Sequence, residues 1–172
     1  MRYTPALAIA AATVLVPAAA HGQTAATKTA VAHEQVLSTN PFGEIIQWFN
    51  IEYERTIGLS ATLGVAASTF KYMDYTSASL LLRWYLQGAA LDGFYLGART
   101  GAYRFGNYRL GYSSVLPGVG LEIGHAWLLG PNRNVSISIG FGLTRLFGNR
   151  ANGYDAPEFM PDARVANVGI AF

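Results

Sequence analysis

Asn134–Phe147 reads Asn-Val-Ser-Ile-Ser-Ile-Gly-Phe-Gly-Leu-Thr-Arg-Leu-Phe. Side chains alternate across an extended strand with period two. Val135, Ile137, Ile139, Phe141 and Leu143 therefore share one face, and Ser136, Ser138, Gly140, Gly142 and Thr144 share the other. The run exceeds the soluble-strand norm of about 5–6 residues and matches the about 9–11 of a tilted membrane strand. The same rhythm runs through the chain. Val36–Phe42 is a short first strand, with Pro41 near its end where a missing N–H is tolerated. Trp48–Thr56 sets Phe49, Ile51 and Tyr53 against Asn50, Glu52 and Glu54. Ser60–Phe70, Thr76–Leu86, Gly93–Arg104 and Ser113–Leu128 follow, then the opening strand, then Arg164–Phe172 with Val168, Ile170 and Phe172 on one face.

Eight strands result, joined by connections that alternate short and long. Gly58, Ala90 and Gly130-Pro131-Asn132 mark the short turns. Glu44, Tyr72, Asn107 and Gly153 mark the longer loops, and Gly148–Asp162 is the longest and most acidic. The pattern predicts an all-β, eight-stranded antiparallel up-and-down transmembrane β-barrel, with short periplasmic turns and longer outer loops.

Charge placement decides which face is inside. Glu52, Glu54, Arg83, Arg99 and Glu122 all fall on the small, polar face. A membrane barrel has a polar interior, and a charge on its lipid face costs about 2–4 kcal/mol at the midplane. A soluble barrel shows the same alternation with the faces exchanged. Strand length and the many glycines on the polar face, Gly97, Gly120, Gly124, Gly140 and Gly142 among them, favour the membrane. The five charges are then expected to form one hydrogen-bonded interior network, structural in role. Trp48, Trp84, Trp127, Tyr53, Phe94 and Phe172 lie near strand ends, as interfacial girdle residues do.

Composition adds an export signal and removes several chemistries. Arg2 followed by the apolar run Ala6–Ala20 reads as a signal peptide over residues 1–22, cleaved after Ala20 or after Gly22. Residues 23–35 form a periplasmic lead-in and 36–172 the outer-membrane barrel. The chain has no Cys, so it has neither disulfides nor thiolate metal sites. Three scattered His residues make no metal site by spacing, and no phosphate loop occurs. No clustered basic stripe marks a nucleic-acid surface. No cofactor is expected.

The leader, the eight strands, Asn50-Ile-Glu-Tyr-Glu-Arg55, Gly93-Phe-Tyr-Leu-Gly97 and the terminal Phe172 resemble the small bacterial outer-membrane β-barrel proteins of unknown function. The architecture is similar to the OmpA membrane domain and OmpX. The resemblance implies that Phe172 belongs to the C-terminal signal read by the barrel-assembly machinery, with periplasmic chaperones as partners in biogenesis. It implies a Gram-negative outer-membrane location, a monomer, and outer-membrane lipid and lipopolysaccharide as surroundings.

Some barrels of this size deacylate lipid A with a His and a Ser two residues apart on one face. Here His125 is followed by Ala126 and Trp127, and Glu122 falls on the opposite face. The expectation is therefore a non-catalytic protein with a structural, envelope-integrity or surface-interaction role. A lipid-A-modifying enzyme and a secreted soluble barrel binding an apolar ligand are the alternatives. At the outer rim, Lys71, Arg104 and Arg109, among Tyr72, Tyr75, Tyr103, Phe105, Tyr108 and Tyr112, are candidate contacts for lipopolysaccharide phosphates.

Overall fold

A computed structural model describes residues 33–107, 112–148 and 158–172. The leader, most of the lead-in, Tyr108, Arg109 and the centre of the acidic loop lie outside the described residues. Eight strands follow in order: β1 Gln35–Thr39, β2 Trp48–Thr56, β3 Ala61–Phe70, β4 Tyr75–Tyr85, β5 Gly93–Asn107, β6 Tyr112–Leu129, β7 Val135–Leu146 and β8 Phe159–Ala171. Each pairs antiparallel with its neighbours in sequence, and β1 pairs with β8, so the sheet closes into a barrel. Closure leaves no free edge. Gln35 and Phe172 finish the seam by exchanging backbone hydrogen bonds of 3.0 and 2.9 Å.

Side chains alternate as the pattern requires. Along β4, Ser77, Ser79, Leu81, Arg83 and Tyr85 are buried, while Ala78, Leu80, Leu82 and Trp84 are exposed. The apolar face of every strand is the outer one: Leu121 is 74% exposed and Ile170 65%. The interior holds the small and charged residues.

The interior is layered. At the end where the short turns and the chain's C-terminus lie, Leu91 from the β4–β5 turn packs against Val36, Ala171 and Leu128. Leu91 takes a left-handed φ of 69°, a conformation a bulky residue adopts only when its surroundings impose it. Its turn is tied to the two others at this end. Ala90 donates to the Leu59 carbonyl at 2.9 Å, and Asp92 pairs with Arg133. At the opposite, loop end, Tyr103, Phe105, Leu116 and Leu146 form a second apolar plug with Tyr75 and Met160. Tyr75, Tyr103 and Phe105, read from sequence as rim residues, thus face inward, because strand parity carries through the full length of β4 and β5. Tyr72 stays exposed.

Three boundaries differ from the sequence reading by more than one residue. The first strand ends at Thr39, and Gly43–Ile46 forms a 3₁₀ turn in place of a strand end. The β5–β6 hairpin extends to the Asn107–Tyr112 pair. β8 begins at Phe159, five residues before the expected start, because Pro161 and Asp162 pair with Leu143 and Gly142 of β7.

Candidate functional site: the charged interior

Between the two plugs lies a layer of ionised side chains, placed by the register. Arg83 on β4 lies opposite Gly97, Gly97 opposite Glu122, Glu122 opposite Gly142, and Gly142 opposite Asp162. Each long side chain extends over a glycine on the adjacent strand. The glycines are there for space: a Cβ on Gly97 would stand 2.6 Å from Glu122 Cγ, and one on Gly140 2.6 Å from the Tyr95 hydroxyl. An eight-stranded barrel is just wide enough for side chains to fill. Three guanidinium groups and four carboxylates are accommodated here by clearing the wall beside them.

Arg83 is the hub, with 2% exposure. Its Nη1 donates to Glu52 Oε1 at 2.7 Å and to Glu54 Oε2, and its Nε donates to Glu122 Oε1 at 2.5 Å. Its guanidinium also lies 4.9 Å from the Tyr95 ring centroid. Glu54 accepts two further bonds, from Tyr85 OH at 2.8 Å and from Thr62. Arg99 donates to Glu122 Oε2 at 3.1 Å and pairs with Asp162. Arg164 pairs with Glu52 Oε2 and donates to the Tyr95 hydroxyl. Each of the four acids thus faces at least one Arg, as charges removed from water require.

All five charged residues singled out from the sequence, Glu52, Glu54, Arg83, Arg99 and Glu122, lie in this cluster. Arg164 and Asp162 join them. By simple alternation from Val168 and Ile170, both would point outward. A β-bulge reverses them: Ser138 pairs with Asn167 and Gly140 with Arg164, so Val165 and Ala166 together oppose Ile139. The extra residue shifts the parity of the first half of β8 and turns Asp162 and Arg164 inward. The available signal was the charge itself: simple alternation would put Asp162 and Arg164 together on the apolar face.

Trp48 also departs from its girdle assignment. It shares the inward parity of Asn50 and Glu52, and its indole N–H donates to Ser68 Oγ at 2.7 Å. With Asn50, Ser68, Ser77, Ser79, Arg99 and Asp162 it lines a polar cavity of about 40 Å³ on the loop side of the charge layer. That is room for about two or three waters.

Outside the barrel, His125 lies 4.3 Å from Trp127 in a stacked arrangement and edge-on to Phe94 at 5.8 Å. Glu122 lies across the wall from it. Lys71 is exposed on a 3₁₀ turn, Lys71–Met73, at the loop end, and Arg104 faces outward on β5, 3.6 Å from Asp74. Arg109 lies outside the described residues. Phe172 is 54% exposed beside the β1–β8 seam. No group of His, Asp and Glu among the described residues is arranged to hold a metal ion. None of the described helices is long and apolar enough to cross a membrane, which leaves the strands unaddressed.

The fold and its interior define a class: closed eight-stranded antiparallel barrels with a charged core and an apolar outer wall. Within it, the chain belongs to the family described as Protein of unknown function (DUF3575), whose model matches residues 12–158. That span runs from the apolar N-terminal stretch to the threshold of β8. No curated protein and no solved structure matches the chain.

Proposed function

We propose that this protein is an integral outer-membrane β-barrel, exported by its N-terminal signal, with a structural, envelope-integrity or surface-interaction role and no catalysis. The observation that carries the reading is the inversion of its faces. Leu63, Leu80, Leu82, Leu96, Leu121, Ile139, Phe141 and Ile170 are each 44% or more exposed, on strands distributed around the wall. Exposed apolar surface of this continuity marks contact with a membrane or partner. Meanwhile Arg83, Glu52, Glu54 and Arg164 occupy the interior, where a soluble ligand-binding barrel would keep its aliphatics.

Dimensions agree. The nine residues of β2 at about 3.4 Å each, tilted about 40°, rise about 23 Å, close to the about 25 Å apolar band of such barrels. Trp84, Phe94, Trp127 and Phe172 are exposed near the turn end, and Phe49, Tyr72, Phe147 and Phe159 near the loop end, as two aromatic girdles. The turn end would face the periplasm and the loop end the cell exterior. Phe172 would serve as the C-terminal assembly signal. The lipid-A-modifying alternative gains little from His125, which is held between two aromatic rings with Glu122 across the wall.

The test is envelope fractionation with an electrophoretic assay. A membrane barrel fractionates with the outer membrane, resists alkaline extraction, and migrates faster unheated than boiled. Recovery in the soluble periplasm would reverse the reading.

A further inference from the structure

The outer wall is not uniformly bulky. Across β3 and β4 the outward pairs are Ala67 with Ala78 and Thr69 with Thr76. Nothing larger than threonine occurs in this patch. On the outer face a depression therefore forms between larger neighbours. A trough of about 680 Å³ runs over Ala67 and Ala78, walled by Leu37, Ile51, Val65 and Leu80. It adjoins a second apolar trough over Ala98, with which it shares Leu80 and Thr100.

One register row toward the loop end, the chemistry changes. Phe49, Thr69, Thr76 and Arg104 stand side by side on the outer face of β2 to β5. They line a groove of about 550 Å³ together with Phe70, Lys71 and Asp74. This row lies two residues, about 7 Å, from the Ala67–Ala78 row. The apolar trough and the basic groove are thus successive stretches of one surface. Asp74, 3.6 Å from Arg104, holds that guanidinium at the groove and leaves part of its donor fork free. Two cations against one carboxylate leave the groove positive.

We propose that this surface binds a phosphorylated, multiply acylated glycolipid of the outer leaflet, one molecule per barrel. Acyl chains lie in the adjoining troughs. The phosphate takes charge-assisted hydrogen bonds from Lys71 and Arg104, and the Thr69 and Thr76 hydroxyls meet the sugar. Charge complementarity at the rim selects an anionic headgroup, and the paired troughs select more than one chain. The proposal rests on the membrane reading above, with the loop end outward.

The test uses the full mature chain refolded in detergent. Bisphosphorylated lipid A, its dephosphorylated form and phosphatidylglycerol are titrated, and bound lipid is read by native mass spectrometry. Lipid A should bind at one per barrel, at least ten-fold more tightly than the other two. The double variant Lys71→Gln/Arg104→Gln should lose about that factor. Ala67→Leu/Ala78→Leu, which fills the trough with lipid-compatible side chains, should lose affinity while keeping the heat-modifiable mobility of the parent. Equal binding of phosphatidylglycerol would overturn the glycolipid assignment. Undiminished binding by both double variants, or none by the parent, would overturn the site. A chain that never acquires heat-modifiable mobility would remove the membrane reading and the site with it.

Discussion

Replacing Arg83 with Met keeps length and apolar stem but deletes the charge at the hub. The structure says which partner suffers. Glu52 retains Arg164, and Glu122 retains Arg99 at 3.1 Å. Glu54 keeps only Tyr85 and Thr62, two neutral donors. Removing one member of a buried ion pair costs about 3–5 kcal/mol because its partner is left uncompensated. With an m-value of about 2 kcal/mol/M, that lowers the urea midpoint by about 2 M. The assay is urea unfolding of the refolded barrel, followed by Trp fluorescence and by loss of heat-modifiable mobility. A second change separates charge from packing. Arg83→Met/Glu54→Gln removes the stranded carboxylate, so it should recover about 1–3 kcal/mol relative to the sum of the single changes. A stability for Arg83→Met within about 0.5 kcal/mol of the parent, the level of an ordinary surface substitution, would refute the reasoning.

Further expectations follow from the same geometry. Arg99→Leu should cost less than Arg83→Met, about 1–3 kcal/mol, because Glu122 keeps Arg83 and the acid left without a cation, Asp162, is partly solvated; paired denaturation curves rank the two. Gly124→Ala should destabilise through collision of the new methyl with the Tyr95 hydroxyl and the Ile139 carbonyl, by about 1–3 kcal/mol on the same curves. Leu91→Ala should remove the turn-end plug at about 2–5 kcal/mol and speed hydrogen exchange in the β4–β5 turn. Leu121→Arg tests the outer face: in lipid bilayers it should cost about 2–4 kcal/mol if Leu121 lies near the midplane, whereas an unchanged stability would place this face in water.

Much of the barrel was legible because alternation is local. The β2 limits were read correctly from Trp48–Thr56, and the central charges sorted to one face by parity alone. What escaped depended on contacts distant in sequence. The bulge in β8 arises where two residues oppose Ile139 of β7, and within Phe159–Ala171 only the charges of Asp162 and Arg164 on the apolar parity hint at it. Arg164 and Asp162 were missed for that reason. Trp48 reads as a girdle residue and Tyr75, Tyr103 and Phe105 as rim residues because aromatics near strand ends suggest an interface, but an interior plug needs aromatics at the same height. Only parity separates the two, and near a strand end few residues remain to fix it. Leu91 gave no warning, since a lone Leu in a turn reveals nothing of the cavity beneath it.

The two sides of the wall are linked by the same arithmetic. Beside most of the long charged side chains, the facing strand supplies glycine: Gly97 pairs with Arg83 and Glu122, Gly64 with Glu54, Gly120 with Arg99 and Gly140 with Arg164, and large outer residues such as Leu96 and Leu121 adjoin them. Across β3 and β4 the rule relaxes. Ser68, Ser77 and Ser79 inside leave the polar cavity, while Ala67 and Ala78 outside leave the trough. The sheet is thinnest where both faces are hollow. Packing against side chains contributes little to stability at that patch, and backbone pairing between β3 and β4 carries it. A multiply acylated lipid seated in the trough would restore the missing outer packing. Under the proposed reading, then, bound lipid should protect the amides of Ala66–Thr69 and Thr76–Ser79 from exchange more than those of β6 and β7, where the wall already supplies its own bulk.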